Sequence, residues 1–274
     1  MLAPVAALCG WYGDAALATL LAAIAAAGAW EFYRLAAHTG ARPLVRSGIV
    51  VAAVVPLAVH AHYLRVFTVP TTAGVLVALG WLGVVVWRRG VDGRPMLAVA
   101  ATLLGVAYVA VPISYAYALR YFDYAVGRAG GTAVLMLPVL ATWASDVGGY
   151  AAGRTLGRRR LIPSVSPGKT VEGSVGAIAA AAGVTAGYAA WVLPRVAQLG
   201  FAPGRALLFG VVVSVVAQLG DLVESLLKRD AGVKDSSALI PGHGGVLDRV
   251  DSLLFVLPTS YLLLRGLLIP AFGR

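Results

Sequence analysis

The segment ALLFGVVVSVVAQLGDLVESLLK, residues 206–228, decides the fold. Residues 206–220 carry no charge, and then Asp221, Glu224 and Lys228 arrive within two helical turns. A helix needs about 20 mostly apolar residues to cross a bilayer core, and this run has that length. Working outward, comparable runs lie at roughly 14–34, 48–62, 71–87, 96–118, 131–151, 171–193 and 251–270, so eight spans are expected in all. Ala, Gly and Val dominate them, and Gly and Ala let helix backbones approach closely. The whole chain agrees. Its 274 residues are 59% hydrophobic and 12% charged, with a mean hydropathy of +0.84. Soluble domains carry about 25% charged residues, and a globule this apolar could not cover itself with polar side chains. An ordinary soluble enzyme, a disordered chain and a collagen-like chain are excluded. Cys9 is the only cysteine, which leaves no intrachain disulfide and no cysteine-based zinc site. The expected fold is all-α: a polytopic membrane protein of about eight transmembrane helices, forming a single helical membrane domain over 1–274. Residues 1–13 are apolar but too short to span, and lack a basic lead and a clear cleavage site, so no signal peptide is expected there. Read as the end of a truncated helix, they would make a ninth element.

The net charge of +10 would suggest nucleic acid in a soluble protein. In a membrane protein it is first a statement about orientation. Fifteen of the 22 basic residues fall in one set of alternating loops and seven in the other. The richer set is therefore placed in the cytoplasm. Trp30, Tyr33 and Arg34 close the first span and Trp87 with Arg88 the third, as interfacial belts do. Glu31 is read as part of that belt.

The polar residues are concentrated. Half of the twelve acidic residues lie within 221–251. Asp146 follows the apolar run 132–144, and Asp221 and Glu224 lie inside the seventh span. A carboxylate at membrane depth is costly and is a functional candidate by default. Asp221, Glu224, Ser225 and Lys228 share one helix face, and Asp248 and Asp251 share another where the last span begins. Hard oxygen ligands of this kind suit Mg²⁺, which commonly takes one or two carboxylates plus substrate phosphates. From spacing alone, an ion-pair network with Lys228, Arg229 and Arg249 fits equally well. The chain has nineteen arginines and only three lysines, Lys169, Lys228 and Lys234, all within the two polar segments flanking these acids. Lys offers phosphate a compact point charge where Arg offers a planar fork.

Two loops look able to approach phosphate. In residues 164–173, Ser166-Pro167-Gly168-Lys169-Thr170 opens a helix, whose N-terminal amides favour an anion. It is no Walker motif, because Pro163 stands where the first glycine belongs and no strand is expected before it. A cap for the sixth span is an equal alternative for Glu172, and the run Arg158-Arg159-Arg160 reads as a topology anchor or anionic-lipid contact. The second loop, Gly242-His243-Gly244-Gly245, is flexible enough for close backbone approach. It is not the dinucleotide fingerprint, because Leu247 fills the final glycine position. His243 is read as a phosphate donor or an orienting residue rather than a metal ligand.

At these residues the sequence resembles the phosphatidate cytidylyltransferase (CDP-diacylglycerol synthase) family. The family signature S-x-x-K-R-x(4)-K-D, a small residue, a hydrophobic position and then H-G-G-x-x-D-R-x-D runs unbroken from Ser225 through Lys228, Arg229, Lys234, Asp235, His243, Gly244, Gly245, Asp248 and Arg249 to Asp251. Ser145-Asp146-Val147-Gly148-Gly149-Tyr150 with Gly153-Arg154, and Ser166 through Gly173, are similar to two further family blocks. Trp30-Glu31-Phe32 is similar to the end of an early family helix. The resemblance is strong over about 140–256, where it implies that the active site is mainly built.

The resemblance implies a multi-pass enzyme of the inner membrane, active at its cytoplasmic face and usually a homodimer. It would condense CTP with phosphatidic acid, giving CDP-diacylglycerol and pyrophosphate in phospholipid biosynthesis. Mg²⁺ is the implied cofactor, and a second monovalent or divalent cation is left open. Asp221 and Asp248 are the implied metal ligands, with Asp251 and Asp146 supporting them. Lys228, Arg249 and His243 join Asp221 and Asp248 as catalytic candidates. Lys169, Ser166, Arg154, Arg229, Lys234, Gly244 and Gly245 are the phosphate-binding candidates. A nucleic-acid partner is not expected. The rival from another class is a transporter or channel, since intramembrane carboxylates also mark ion pathways. Transport does not require clustered lysines and a Gly-His-Gly loop on one face. A nearer alternative is nucleotidyl transfer to another lipid phosphate.

Overall fold

The computed structural model describes residues 2–239, 242, 244–267 and 269–270. Helix α1 (Leu2–Tyr12) is the short apolar lead-in, and it ends at Gly13, whose φ is +69°. Then follow α2 (Asp14–His38), α3 (Val45–Tyr63), α4 (Thr71–Arg89), α5 (Pro95–Gly105) and α6 (Val111–Arg120). A π-helical turn over Val106–Ala110 joins α5 to α6, so Pro95–Arg120 forms one span. Helix α7 (Gly127–Leu156) leads into a small antiparallel hairpin, β1 (Arg160–Ile162) and β2 (Ser166–Thr170). Helices α8 (Val171–Trp191), α9 (Pro203–Asp230) and α10 (Leu247–Leu267) follow, with a π-helical turn at Leu193–Ala197 and a two-residue strand pair, Leu199–Gly200 with Ile269–Pro270.

Among the described residues, seven helices are long and apolar enough to cross a membrane. They match seven of the eight expected spans. The eighth, 71–87, is present as α4, whose apolar stretch Thr72–Arg88 is shorter than the others. The chain is a multi-pass, all-α membrane protein.

The helices fall into two compact units. One comprises Met1–Gly13, Ala118–Leu226 and Asp251–Arg274; the other comprises Asp14–Tyr117 and Leu227–Val250. In the first unit α7 packs on α8 almost backbone to backbone. A Cβ on Gly148 would lie 2.8 Å from the Gly176 carbonyl oxygen, and one on Gly173 would lie 2.9 Å from that of Gly149. A Cβ on Gly176 would collide with the Ala152 methyl. Lipid tails are as apolar as the helix surfaces, so such close van der Waals contact is a main source of helix adhesion here. Buried Arg120 donates through Nε to the Gly10 carbonyl at 2.7 Å and through Nη2 to that of Trp11 at 3.0 Å, satisfying the open end of α1.

In the second unit Tyr33 is the wedge. Its ring fills the space left by Gly48 and Gly105, and its hydroxyl donates to the Thr102 carbonyl at 2.9 Å. Thr102 in turn receives the Leu44 amide at 2.8 Å, which orders the entry to α3. Gly28 sits against Val109 of the π turn with no room for a Cβ.

Gly176→Val should push α7 from α8, since overfilling a packed contact costs about 1–3 kcal/mol. The expected result is a lower thermal unfolding midpoint and less monodisperse protein in detergent, whereas Gly183→Ala, in open space, should behave as wild type.

Candidate active site

The α7–α8 contact shapes a cleft in the first unit. Along α7, Ser145, Gly149 and Gly153 form one row and Asp146, Tyr150 and Arg154 the next, each at four-residue spacing. The N-terminal turns of α8 add Gly173, Ser174 and Ala177. The hairpin brings Leu161, Gly168, Lys169 and Thr170, and α9 brings Gln218 and Asp221. Together they line a cavity of about 580 Å³. Gly149 and Gly153 of α7 meet Gly173 of α8 along its wall.

Asp146, Asp221, Lys169 and Arg154 meet in one cavity, and Asp248, which the sequence reading paired with Asp221, is not among its lining residues. Lys169 Nζ lies 2.6 Å from Asp221 Oδ2, with the carboxylate side chain 39% exposed. Ser225, one turn along α9, points its hydroxyl at Asp221 Oδ1 from 3.4 Å. Arg154 donates to the Tyr150 hydroxyl at 2.7 Å. Ser166 lies on β2 opposite Ile162 and is not among the lining residues.

At the start of α8 the cap alternative for Glu172 does not hold. Thr170 is its N-cap, accepting the Gly173 amide at 3.0 Å. Glu172 instead reaches back to accept the amides of Arg158 at 3.0 Å and Arg159 at 3.2 Å. It holds the arginine run beside the hairpin that carries Lys169.

Sequence reasoning missed a polar floor under the cavity. Ser145 Oγ and Ser214 Oγ are 2.8 Å apart, and Gln218 Nε2 donates to Ser214 Oγ at 3.2 Å. Ser174 Oγ donates to Gln218 Oε1. The signal was available: Ser214, Gln218 and Asp221 continue the polar face of α9 toward its N-terminus, at four- and three-residue steps.

The second unit holds the other carboxylate centre. Lys228 Nζ lies 2.8 Å from Asp248 Oδ1, and both side chains are largely buried. Asp248 Oδ2 also accepts the Ser236 hydroxyl at 2.9 Å and the Gly245 amide at 2.7 Å. The last bond ties the first turn of α10 to the loop two residues before it. Gly242 and Gly244 have φ of +73° and +77°, a conformation that favours glycine. Gly245 is required for another reason: a Cβ there would collide with Ser236 Oγ and lie 2.6 Å from Glu31 Oε1.

Glu31 is the main revision. The aromatic neighbours suggested an interfacial belt, but its side chain is 0% exposed. It accepts the Ser237 hydroxyl at 2.5 Å and the amides of Val246 at 2.9 Å and Leu247 at 2.6 Å, and the Ser236 hydroxyl that donates to Asp248 lies 3.3 Å from it. The remaining candidates are placed less tightly. Arg229 reaches the Val233 carbonyl at 3.4 Å, and Lys234 lies in the loop that follows α9. Arg249 and Asp251 lie in the first turns of α10, where Asp251 Oδ1 accepts the Ser252 amide at 2.6 Å. His243 lies outside the described residues.

Residues 1–267 match the model of the cytidylyltransferase family. The chain belongs to that family. It is 42% identical over 161 residues to a phosphatidate cytidylyltransferase of Bacillus subtilis, covering 59% of this chain and 56% of that one. It is 38% identical over 169 residues to one of Staphylococcus saprophyticus, covering 60% and 58%. The chain thus spans little more than half the length of these two relatives. Against a phosphatidate cytidylyltransferase of Synechocystis the identity is 34% over 279 residues, covering 92% and 88%.

The donor set fits a hard divalent cation. Among the described residues no three His, Cys, Asp or Glu side chains converge into a complete protein cage. Mg²⁺ does not need one, because it keeps waters and takes substrate phosphates beside one or two carboxylates. Two carboxylates and two cations on one cavity supply that chemistry.

Lys228→Met should leave the buried Asp248 charge without its ammonium, which typically costs ~3 kcal/mol. A clear fall in the thermal unfolding midpoint is expected, larger than that for Lys234→Met.

Proposed function

We propose that the chain is a phosphatidate cytidylyltransferase, transferring the cytidylyl group of CTP to phosphatidic acid. A phosphate oxygen of phosphatidic acid attacks the α-phosphorus of CTP. The new phosphorus–oxygen bond forms as the bond to the β-phosphate bridge breaks, giving CDP-diacylglycerol and pyrophosphate. The observation that carries this reading is the cavity where Asp146, Asp221, Lys169 and Arg154 converge, in a chain of the cytidylyltransferase family.

The chemistry asks for charge neutralisation and alignment rather than a strong base. A phosphomonoester has a second pKa of about 6 and is largely ionised at pH 7. Lys169 stands 2.6 Å from Asp221, where a phosphate oxygen and a metal-binding carboxylate would need to meet. Lys169 and Arg154 hold the phosphates, and Ser166 keeps only the phosphate role that the resemblance implies. The floor of Ser145, Ser214 and Gln218 offers fixed dipoles that need no reorganisation during reaction.

Asp221 and Asp146 would hold Mg²⁺ in this cavity. When bound, the ion would supply charge neutralisation at the triphosphate and at the departing pyrophosphate. Asp248 and Asp251 keep the ligand roles that the resemblance implies, and Lys228, Arg249, His243, Arg229, Lys234, Gly244 and Gly245 keep theirs toward the phosphates. The excess of basic residues in one set of loops supports a cytoplasmic site in the inner membrane. A homodimer rests on the family resemblance.

The test is purified protein with labelled CTP, phosphatidic acid and Mg²⁺, followed by extraction of a lipid-soluble cytidine product. Product should form, and Asp221→Asn should lower turnover by about 100-fold or more. Well-folded wild-type protein that makes no product would overturn this reading, in favour of transport or another lipid phosphate.

A further inference from the structure

We propose that Glu31 is a positioning residue, which fixes the glycine loop and the start of α10 and, through Ser236, aims the Asp248 carboxylate. All the groups involved belong to the second unit. Glu31 sits on α2, more than two hundred residues from its partners in sequence, yet it receives three hydrogen bonds from them and shares the single Ser236 hydroxyl proton with Asp248. Two come from Val246 and Leu247, at the N-terminus of α10. Those amides have no partner within their own helix, and a negative charge there also meets the positive end of the helix dipole. Glu31 therefore caps α10 from another helix.

The link to Asp248 is direct. The Ser236 hydroxyl lies 3.3 Å from Glu31 Oε2 and 2.9 Å from Asp248 Oδ2. Gly245 leaves no room for a Cβ beside the Glu31 carboxylate, and its amide donates to Asp248 Oδ2 at 2.7 Å. Moving Glu31 thus shifts two of the groups that orient Asp248. The donor pattern also calls for a carboxylate in particular. An ionised Glu only accepts, with about four lone-pair sites. A Gln would turn an N–H₂ group toward hydroxyls and amides that are themselves donating. A mere brace between α2 and the loop could be apolar and would cost less to bury.

The loop-positioning half stands on these contacts, whereas its consequence for turnover rests on the function proposed above. The experiment separates them. Amide hydrogen exchange on the intact, metal-free and nucleotide-free protein should quicken at 245–248 by about 10-fold in Glu31→Gln, with α7 and α8 unchanged. Turnover of CTP and phosphatidic acid should show kcat lowered about 10- to 100-fold with KM for the lipid nearly unchanged, the loss typical of an outer-shell partner. Glu31→Asp keeps the acceptor charge and should recover part of kcat. Ser237→Ala, which removes one donor, should shift both readouts the same way but less, and it carries the test if Glu31→Gln fails to fold. Unchanged exchange at 245–248 in a folded variant overturns the proposal, as does a loss seen in KM alone. Faster exchange in protein that makes no cytidine lipid upholds the positioning role and overturns the function instead.

Discussion

A polar group inside an apolar helix must find its partner within the protein, because lipid offers none. Much of the site follows from that constraint. Buried Ser145 and Ser214 pair with one another, and Gln218 completes the chain to Ser174. Buried Glu31 takes the amides that α10 leaves open. The pairings of Ser145, Ser214, Gln218 and Ser174 are also geometric restraints, so the groups left at the cavity rim stand on a floor that cannot easily shift. Asp221 remains 39% exposed at that rim, its charge met by Lys169. The same rule that makes an intramembrane carboxylate costly makes its position well defined once it is satisfied.

Small residues provide the room. Facing glycines on α7 and α8 bring two backbones together and leave a cavity where side chains would otherwise interlock. The hairpin that carries Lys169 rises from the end of this pair and is held there by Glu172 and the Thr170 cap. Adhesion, cavity shape and the placement of a cation thus share one cause, the absence of Cβ atoms along one seam. In the second unit Gly245 plays the corresponding part, letting a buried carboxylate come within touching distance of a loop backbone.

Residues that act at a distance were the hardest to read. Asp221, Asp248, Lys169 and Lys228 stood out because charge is scarce in this chain and these charges share helix faces or glycine-rich loops. Glu31 did not, because Trp30, Tyr33 and Arg34 around it imitate an interfacial belt. Its donors are local to a loop that begins two hundred residues later. The spacing of Glu172 allowed a helix cap as an equal alternative, yet the hydroxyl of Thr170 is closer to the first amides and takes that place. The polar face of α9 was legible near its charged end and was not followed back to Gln218 and Ser214.

Periodicity, length and apolarity were enough to determine an all-α membrane protein and the extents of its spans, since a bilayer core admits few alternatives to an apolar helix of the right length. Motif spacing was enough to single out the carboxylates and lysines, and to relate them to the cytidylyltransferase family. Pairings between elements were decided only in the tertiary structure: Lys169 with Asp221 across 52 positions, Ser174 with Gln218 across 44, and Glu31 with the start of α10 across 216. A local pattern records which face of a helix is polar. Which other helix meets that face depends on how closely the backbones can pack, and that is a property of both partners together.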